Sequence, residues 1–260
     1  MSRLPAQPRR STASSAQTPR HGLARVLSKL GVCSRSQAEQ WVRAGRVSVD
    51  GRVILDPYHP TLIDRQAVAV DSQIVRPVES VYVVFNKPRG LLVSAADEQG
   101  RATVYTALAA ANLPWLGPVG RLDKASEGLL LLSNDTSWAA GITSPDSHLQ
   151  KTYHVQVCGQ PDAAVLAAMQ SGVVDAGETL KARWATVLRK GGKNAWIEVV
   201  LDEGRNRHIR RLLAALGFEV MRLIRVSIGP LSLGELPKGQ WRRLSEDEVA
   251  SLAPASACRS

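Results

Sequence analysis

The residues best suited to chemistry lie in a charged turn that precedes a strongly apolar run. Arg121 and Asp123 follow Gly120, and four consecutive leucines occupy 129–132. The apolar run predicts a buried strand, so an acid at its entrance would be held rigidly. Two interpretations of Asp123 are open on this evidence: a surface salt bridge with Arg121, or a carboxylate placed for catalysis.

A second candidate lies in the alternating segment 151–157. Alternation places Lys151, Tyr153 and Val155 on one face of a strand. Tyr153 would then lie among apolar side chains, with its ring packed and its hydroxyl available. A tyrosine that serves only the core is the simpler interpretation.

A third candidate is an arginine-rich helix that follows a turn at Gly204. Arg207, Arg210 and Arg211 fall in its first two turns, and its apolar stripe contains Ile209, Leu212, Leu213 and Leu216. Arg210 lies near the edge of that stripe and is expected to point inward, where a guanidinium needs a carboxylate partner. A phosphate-binding patch is the alternative for these cations.

Several other chemistries are not indicated. The sequence has no nucleotide-binding P-loop, no dinucleotide fingerprint and no Gly-x-Ser-x-Gly element. Its five histidines are scattered, and its three cysteines, Cys33, Cys158 and Cys258, are far apart. We therefore expect no cofactor and no metal, and the cysteine usage fits a reducing cytoplasm.

The charge of the chain predicts its partner. Among 260 residues, 33 are Lys or Arg and 23 are Asp or Glu, which gives a net charge of +10. An excess of this size favours a polyanion, most often nucleic acid. No apolar run reaches the ~18 residues of a membrane span. The polar, arginine-containing segment 1–20 is expected to be a disordered basic tail.

Residues 21–75 are expected to form a small separate module. Apolar spacing predicts a helix at 23–30, and Ser34 is a candidate N-cap for a second helix. Asp50-Gly51 between alternating apolar residues indicates a β-hairpin. The basic residues threaded through this helix–helix–hairpin order include Arg25, Lys29, Arg35, Arg43 and Arg46.

The pattern changes after a linker at 76–80. Strand-like runs recur at 81–85, 129–132, 153–157, 185–188, 195–201 and 220–228. Helical stretches lie between them near 104–111, 163–170 and 207–216, and Ser245 with Glu248 forms a capping box for a short last helix. The order predicts an α+β domain at 81–252, built on a mostly antiparallel mixed sheet with flanking helices, and a frayed tail at 253–260.

Six blocks in a fixed order resemble the pseudouridine synthases that modify ribosomal RNA. The blocks are Lys87-Pro88-x-Gly90, 120–135, Lys151-Thr152-Tyr153, 203–211, 222–229 and 236–242. The front module is similar to the S-four-like RNA-binding domain, through 27–39 and 45–51. Together the resemblance covers about residues 21–250. Thr136 and His208 depart from it, because that family often has glycine and glutamine there.

The resemblance implies site-specific isomerisation of uridine to pseudouridine in ribosomal RNA. Asp123 would be the catalytic carboxylate, acting either as a nucleophile or as a base at the ribose. Arg210 would pair with Asp123 and keep it charged, and Tyr153 would pack against the flipped base. Leu223 and the leucine run would form the dry wall of the site. Such an isomerase needs no cofactor and no energy donor.

RNA contacts are expected from two sets of cations. In the catalytic domain, Arg121, Lys87, Arg205 and Arg207 would hold the flanking phosphates. In the front module, the helices with Arg25, Lys29, Arg35, Arg43 and Arg46 would contact structured RNA by shape and phosphate. We expect a cytoplasmic monomer. A non-catalytic ribosomal RNA-binding or ribosome-assembly protein is the alternative, and an RNA-directed N-glycosidase is a third class.

Overall fold

The computed structural model describes residues 20–63, 65–94 and 100–253. The tails predicted at 1–20 and 253–260 therefore lie outside the described residues, apart from residues 20 and 253. Contacts between Cα atoms divide the chain into two units. Among the described residues, the first unit comprises 20–26 and 35–75, and the second comprises 27–34 and 76–253.

The first unit contains two short helices and a small antiparallel sheet. Its elements, with the helix that continues into the second unit, are β1 (His21–Gly22), α1 (Leu23–Lys29), α2 (Arg35–Arg43), β2 (Val47–Val49), β3 (Arg52–Val53), β4 (Pro60–Thr61), β5 (Val68–Val70) and β6 (Gln73–Ile74). Strands β3, β2, β5 and β6 form one sheet in that order, and β1 pairs with β4.

The hairpin predicted at Asp50-Gly51 is confirmed. Strands β2 and β3 pair around this dipeptide, and both residues have positive φ, at 50° and 79°. Asparagine, aspartate and glycine tolerate that conformation best, which is why such a pair closes tight hairpins. The sequence predicted only this hairpin, whereas the structure adds β5 on the other side of β2.

The second unit is built on one large sheet. Its elements are β7 (Tyr82–Lys87), α3 (Val104–Leu108), β8 (Gly117–Val119), β9 (Glu127–Ser133), α4 (Thr136–Thr143), β10 (Lys151–Cys158), α5 (Ala163–Ser171), β11 (Val173–Asp175), β12 (Glu178–Leu180), β13 (Trp184–Lys190), β14 (Asn194–Leu201), α6 (His208–Ala215), β15 (Val220–Ile228), β16 (Leu231–Ser232), β17 (Trp241–Arg243) and α7 (Glu246–Leu252). Ala109–Ala111 and Pro145–Ser147 are short 3₁₀ helices.

The sheet has nine strands and is mostly antiparallel, as the sequence predicted. Its order is β13-β14-β10-β15-β9-β7-β17, with β16 beside β15 and β8 beside β9. Within this sheet, as far as the structure describes it, the strands that pair in parallel are β9 and β15, where Ile224 lies opposite Glu127 and Arg225 opposite Gly128. This pair brings the chain segment before β9 next to β15, which positions the site.

The central strand β9 is buried on both faces, which explains its unbroken apolar run. Leu130 and Leu132 pack into a core with residues of α3, α5 and α6, whereas Leu129 and Leu131 pack against α4 and α7 on the other face. Successive side chains of a strand point to opposite faces, so one leucine run serves two cores. Strand β9 is thereby fixed in position, as is the end at which Asp123 enters it.

Helix α4 is an element that the sequence analysis missed. Thr136, Gly141 and Thr143 give this stretch a low helical propensity, so its periodicity is weak. The helix begins after Asp135, whose carboxylate accepts hydrogen bonds from the backbone N–H groups of Ser137 and Trp138. By contrast, the predicted capping box of Ser245 and Glu248 at the start of α7 is confirmed.

Candidate active site

A cavity of about 230 Å³ lies in the second unit, where the segment before β9, strands β10 and β15, and the start of α6 meet. Six of the residues singled out from the sequence line it: Arg121, Asp123, Tyr153, Arg205, Arg207 and Arg210. The structure therefore brings together three sequence blocks that are up to about 90 residues apart along the chain. A half-buried carboxylate, a buried tyrosine ring and several guanidinium groups share one cleft.

The segment 121–126, here named the Asp123 loop, connects β8 to β9. Gly120, with φ at 77°, begins the turn into it. Its backbone carbonyls accept hydrogen bonds from several elements: Asp123 and Ser126 from Lys87, Lys124 from the N–H of Gly90, Ala125 from Arg210, and Arg121 from Arg225. Donors from outside the loop thus fix its backbone, which holds the Asp123 side chain in the cavity.

Lys87 has a different role from the one predicted. Its side chain is fully buried, and its Nζ lies 3.1 Å from the carbonyl oxygen of Pro88, 3.2 Å from that of Asp123 and 2.8 Å from that of Ser126. An ammonium has three N–H donors, and all three are used. In this arrangement Lys87 has no free donor for the predicted RNA phosphate, because strand β7 continues to Lys87 and carries it into the core.

The buried position of Lys87 disfavours the charged form of its ammonium. Burial lowers the pKa of Lys87 from its usual value to about 8, although the charges of Glu127 and Asp123 raise it. Two neighbouring carboxylates therefore offset part of the cost of burying this ammonium. The position of the Asp123 loop therefore depends on Lys87.

The predicted ion pair between Arg210 and Asp123 is not formed at contact distance. Both residues are described, and no nitrogen–oxygen pair between them lies within 4.0 Å. Instead, Arg210 Nη1 donates to the Val220 carbonyl at 3.1 Å and Nη2 to the Ala125 carbonyl at 3.3 Å. Burial lowers the pKa of Arg210, and the charge of Asp123 raises it. The two charges attract each other through space, and the contact between the two segments is made by the backbone of Ala125.

Two acids, Asp123 and Glu127, lie only four residues apart at the start of β9, and their surroundings differ. Glu127 is 3 % exposed, and its carboxylate is bound by Arg222 Nε at 3.0 Å and Lys238 Nζ at 2.5 Å. Burial raises the pKa of Glu127, but the hydrogen bonds from Arg222 and Lys238 hold it below its usual value. Glu127 is thus a structural anion, whereas Asp123 is half-buried and lines the cavity.

Tyr153 lies on the sheet between two strands that also reach the site. It is 8 % exposed and lies opposite Val199 of β14 and Arg225 of β15. Leu223 packs in the same core and also lines the cavity. The ring of Tyr153 and the side chain of Leu223 give the cavity an apolar wall. Leu223 was expected there, whereas the leucines at 129–132 pack into the two cores and are not among the described residues that line the cavity.

Gly128 permits the close approach of β9 and β15. A Cβ atom at this position would lie 2.3 Å from the carbonyl oxygen of Arg225 and 2.9 Å from its nitrogen, and the φ of Gly128 is 99°. Any other residue would push these strands apart. The parallel contact that positions the Asp123 loop therefore requires glycine here.

Several residues that line the cavity were missed from the sequence as site residues. The polar or charged ones with buried side-chain atoms are Lys151, Arg225, Ser126 and His208. Arg225 is 5 % exposed, donates to the Leu129 carbonyl at 2.7 Å and leaves Nη2 buried without a partner. The Ser126 hydroxyl and both ring nitrogens of His208 are likewise buried without a hydrogen bond. Buried polar groups normally have partners, so these groups mark the cavity as a polar binding site.

The other arginines of the second unit that were predicted to bind RNA differ in their exposure and in their ion pairs and hydrogen bonds to the protein. Arg205 contacts Glu203 at 3.1 Å and donates to the Thr179 carbonyl at 3.3 Å. Arg207 has φ at 49° where α6 begins, and its side chain is exposed. Arg121 is exposed as well. Arg121 and Arg207 thus place exposed charge at the cavity, and Arg205 is partly neutralised.

All five cations predicted to bind RNA in the front module are exposed: Arg25, Lys29, Arg35, Arg43 and Arg46. Arg35 pairs with Glu39 at 3.3 Å, and Arg46 pairs with Asp71 while lying over the ring of Trp41. Exposed pairs of this kind contribute little to stability. Their charges remain at the surface.

Two general findings concern the described residues only. None of their helices has the length and apolar character needed to cross a membrane. No group of three His, Cys, Asp or Glu side chains among 20–63, 65–94 and 100–253 is arranged to hold a metal ion.

Family models match both parts of the chain. The model described as RNA pseudouridylate synthase matches residues 81–215, and the model described as S4 domain matches residues 22–60. The first contains the Asp123 loop, β10 and α6, which are the elements that line the cavity. The second contains both helices and the confirmed hairpin of the front module.

Named relatives cover most of the chain. A protein named "uncharacterized RNA pseudouridine synthase" from Aquifex aeolicus (strain VF5) is 36 % identical over 233 residues, 89 % of this chain and 93 % of the relative. A similarly named protein of Mycobacterium tuberculosis (strain ATCC 25618 / H37Rv) is 36 % identical over 239 residues, 90 % and 93 % of the two chains. A solved structure entitled "Crystal structure of pseudouridylate synthase" has a TM-score of 0.62 and 29 % identity, covering 90 % of this chain and all of that one.

Proposed function

Because the chain belongs to the RNA pseudouridylate synthase family and is therefore an isomerase that converts uridine to pseudouridine in RNA, we propose that its substrate is a specific uridine of ribosomal RNA and that Asp123 is the catalytic carboxylate. Tyr153 and Arg210 complete the catalytic group in this proposal. The family also favours catalysis over the alternative of a non-catalytic ribosome-assembly protein.

One observation supports the site most strongly. Asp123, Tyr153 and Arg210 line the same cavity, and the backbone of the Asp123 loop is held by donors on three other elements. A carboxylate that attacks or deprotonates a sugar must be held within a fraction of an ångström of its target. A loop whose carbonyls are bound on several sides meets that requirement better than a surface turn.

The reaction requires little besides a carboxylate and a closed pocket. The bond between ribose C1′ and uracil N1 breaks, the uracil turns, and a bond forms between C1′ and C5. The proton on C5 leaves, and N1 gains one, so the atoms of substrate and product are identical. Asp123 acts at the ribose, either as the nucleophile or as the base, and the apolar wall with Tyr153 and Leu223 keeps water from the detached base.

Arg210 and Tyr153 have separate tasks in the proposal. Arg210 carries a positive charge close to Asp123 and holds the Ala125 carbonyl of its loop, so it positions the loop that carries the carboxylate. Tyr153 packs against the uracil and helps with proton transfer at C5. The target base must leave its stack to reach this pocket, which costs a few kcal/mol.

Ribosomal RNA is proposed because of the front module and the charge. The module matches the S4 domain, carries exposed cations, and belongs to a chain with a net charge of +10. Its helices would dock on structured RNA through phosphates, and Arg121, Arg205 and Arg207 would hold the strand near the cavity. We take the enzyme to be a cytoplasmic monomer, which size-exclusion chromatography and cell fractionation would test.

The proposal is tested with ribosomal RNA transcripts labelled with tritium at uracil C5. We expect the wild-type chain to release tritium, and Asp123→Asn to release none while binding the RNA within a few fold. Asp247→Asn is the control, since it removes an exposed acid of α7 that does not line the cavity, and it should release tritium at the wild-type rate. Tritium release by Asp123→Asn at the wild-type rate would overturn the assignment of Asp123.

Mass spectrometry of the same RNA separates the three classes of function. Isomerisation leaves the RNA mass unchanged and creates a uridine derivative that reacts stably with carbodiimide. An N-glycosidase lowers the mass by the lost base. A binding protein also leaves the mass unchanged but creates no uridine derivative that reacts stably with carbodiimide, and that result would refute the proposed reaction.

A further inference from the structure

Two cations in the cavity form no ion pair at contact distance within the described part of the chain, and neither is assigned a substrate contact above. Lys151 and Arg225 both line it, from β10 and β15. The ammonium of Lys151 makes no hydrogen bond to any described residue. Arg225 donates to the carbonyls of Leu129 and Arg121, which are neutral acceptors.

Sheet geometry places these two side chains on neighbouring strands. On β10, Lys151 is two residues before Tyr153 and on the same face, and Tyr153 lies opposite Arg225 of β15. The register of β10 and β15 shifts between Thr152 and Tyr153, so Lys151 itself lies opposite Ile228. Both side chains nevertheless line the same cavity, and the charge of Arg225 acts on Lys151.

The charges of the pair repel each other. Burial lowers the pKa of Lys151, and the charge of Arg225 lowers it further, while Asp202 raises it. Asp202 itself is bound by Arg183 at 3.2 Å. Two like charges near a cavity, without an anion of their own, destabilise the free protein and favour a ligand that supplies the missing charge.

We propose that Lys151, with Arg225 behind it, forms a subsite for a backbone phosphate of the RNA strand that enters the cavity. This inference rests on the proposed function, because it takes RNA as the ligand of the same cavity. Lys151 contacts the phosphate directly. The guanidinium of Arg225, whose Nη2 is shielded from water and unpartnered, adds its charge through the wall of the cavity.

A phosphate fits this subsite better than the uracil does. A uracil carbonyl carries only a partial charge, whereas a phosphodiester carries a full negative charge to set against two cations. The subsite also lies beside Tyr153, so a phosphate held there would be close to the nucleotide whose base packs on that ring. Lys151 would thereby take the role that the sequence analysis assigned to the buried Lys87.

The test is the salt dependence of RNA binding. Each phosphate contact of a lysine or arginine adds ~0.7–0.9 to the slope of log affinity against log salt. We would measure the binding of small-subunit and large-subunit ribosomal RNA transcripts by filter retention between about 50 and 200 mM salt. The chains compared are the wild type, Lys151→Met, Lys151→Arg and Lys190→Met.

Lys151→Met keeps the apolar stem of the side chain and removes its charge, so we expect the slope to fall by about 0.7–0.9. Lys151→Arg should retain the wild-type slope. Lys190, an exposed lysine at the end of β13 and away from the cavity, is the matched control, and its replacement should leave the slope unchanged. Melting temperatures check that each variant is folded.

An unchanged slope in Lys151→Met would overturn the subsite, as would equal losses in Lys151→Met and Lys190→Met. If Lys151→Met does not fold, a loss of slope in Lys151→Arg would overturn it. A different result would refute the proposed function, namely the absence of pseudouridine after incubation of the RNA with the wild-type chain. The two outcomes are therefore distinguishable.

Discussion

Replacing Lys87 with methionine should damage both stability and turnover. Lys87→Met keeps an unbranched apolar side chain in a fully buried position but removes donors to the carbonyls of Pro88, Asp123 and Ser126. The Asp123 carbonyl retains the Ser126 backbone N–H at 3.0 Å, so two carbonyls lose their donor. Each unsatisfied carbonyl costs ~1–3 kcal/mol. The substitution also removes the cost of burying the ammonium, so we expect the free energy of unfolding to fall by about 2–4 kcal/mol.

Turnover should fall further than stability suggests. The same substitution releases the backbone on both sides of the Asp123 side chain, and a displacement of ~1 Å in an active site costs about 10²-fold in rate. Single-turnover tritium release with saturating enzyme measures this loss, and urea unfolding measures the stability. Lys124→Met is the matched control, because Lys124 belongs to the same loop and its side chain is exposed.

The result also decides between two roles for Lys87. Weaker RNA binding with an unchanged single-turnover rate would show that Lys87 is a phosphate contact after all. A free energy of unfolding within about 0.5 kcal/mol of the wild type, together with normal turnover, would refute the reasoning about the loop.

Three further outcomes are expected. Gly128→Ala should lower the free energy of unfolding, measured by urea titration, by at least ~3 kcal/mol, because its Cβ would meet backbone atoms of Arg225. In the control Gly177→Ala, where φ is positive but no atom is near, the loss should be only ~1 kcal/mol. Arg25→Gln with Arg43→Gln should weaken ribosomal RNA retention on filters and leave single-turnover tritium release at saturating enzyme unchanged; a fall in that rate would contradict an RNA-docking role. The folded-state pKa of Lys87, about 8, lies below its unfolded value of about 10.5, so between these pH values the unfolded chain binds more protons than the folded one. The free energy of unfolding of the wild type should therefore rise relative to that of Lys87→Met from pH 8 to 10.5. A difference between the two proteins that does not change with pH would contradict the burial of Lys87.

The sequence predicts the parts of the site that lie on strongly patterned elements. The leucine run at 129–132 indicates a buried strand, and so it places Asp123 at the strand's entrance. Alternation around Tyr153 indicates which face it occupies. These signals are local, because the period of a strand is read from its own residues.

Long-range pairing explains what the sequence did not reveal. Whether Lys87 is buried depends on the strand that runs beside it and on the loop carbonyls that it meets, which come from 36 and 39 residues further along the chain. The role of Arg225 depends on the parallel contact of β15 with Gly128. Arg210 was expected to reach Asp123 itself, and it reaches the backbone of Ala125 instead. Register between distant strands decides each case, and no periodicity encodes it.

The contacts also bear on how the two parts should be separated in experiments. Residues 27–34 belong to the second unit, where the Val78 N–H donates to the Leu30 carbonyl at 3.1 Å. Deleting residues 1–75 would remove this segment and disturb the larger unit. Charge substitutions in the front module, as in the prediction above, avoid that damage.

The central claim is that Asp123 converts a uridine of ribosomal RNA to pseudouridine. The most direct test maps pseudouridines by carbodiimide modification and primer extension in ribosomal RNA from cells that lack the gene, complemented with the wild type or with Asp123→Asn. The account predicts a signal that disappears on deletion, returns with the wild type and stays absent with Asp123→Asn. An unchanged pseudouridine map in the deleted cells, or full restoration by Asp123→Asn, would contradict it.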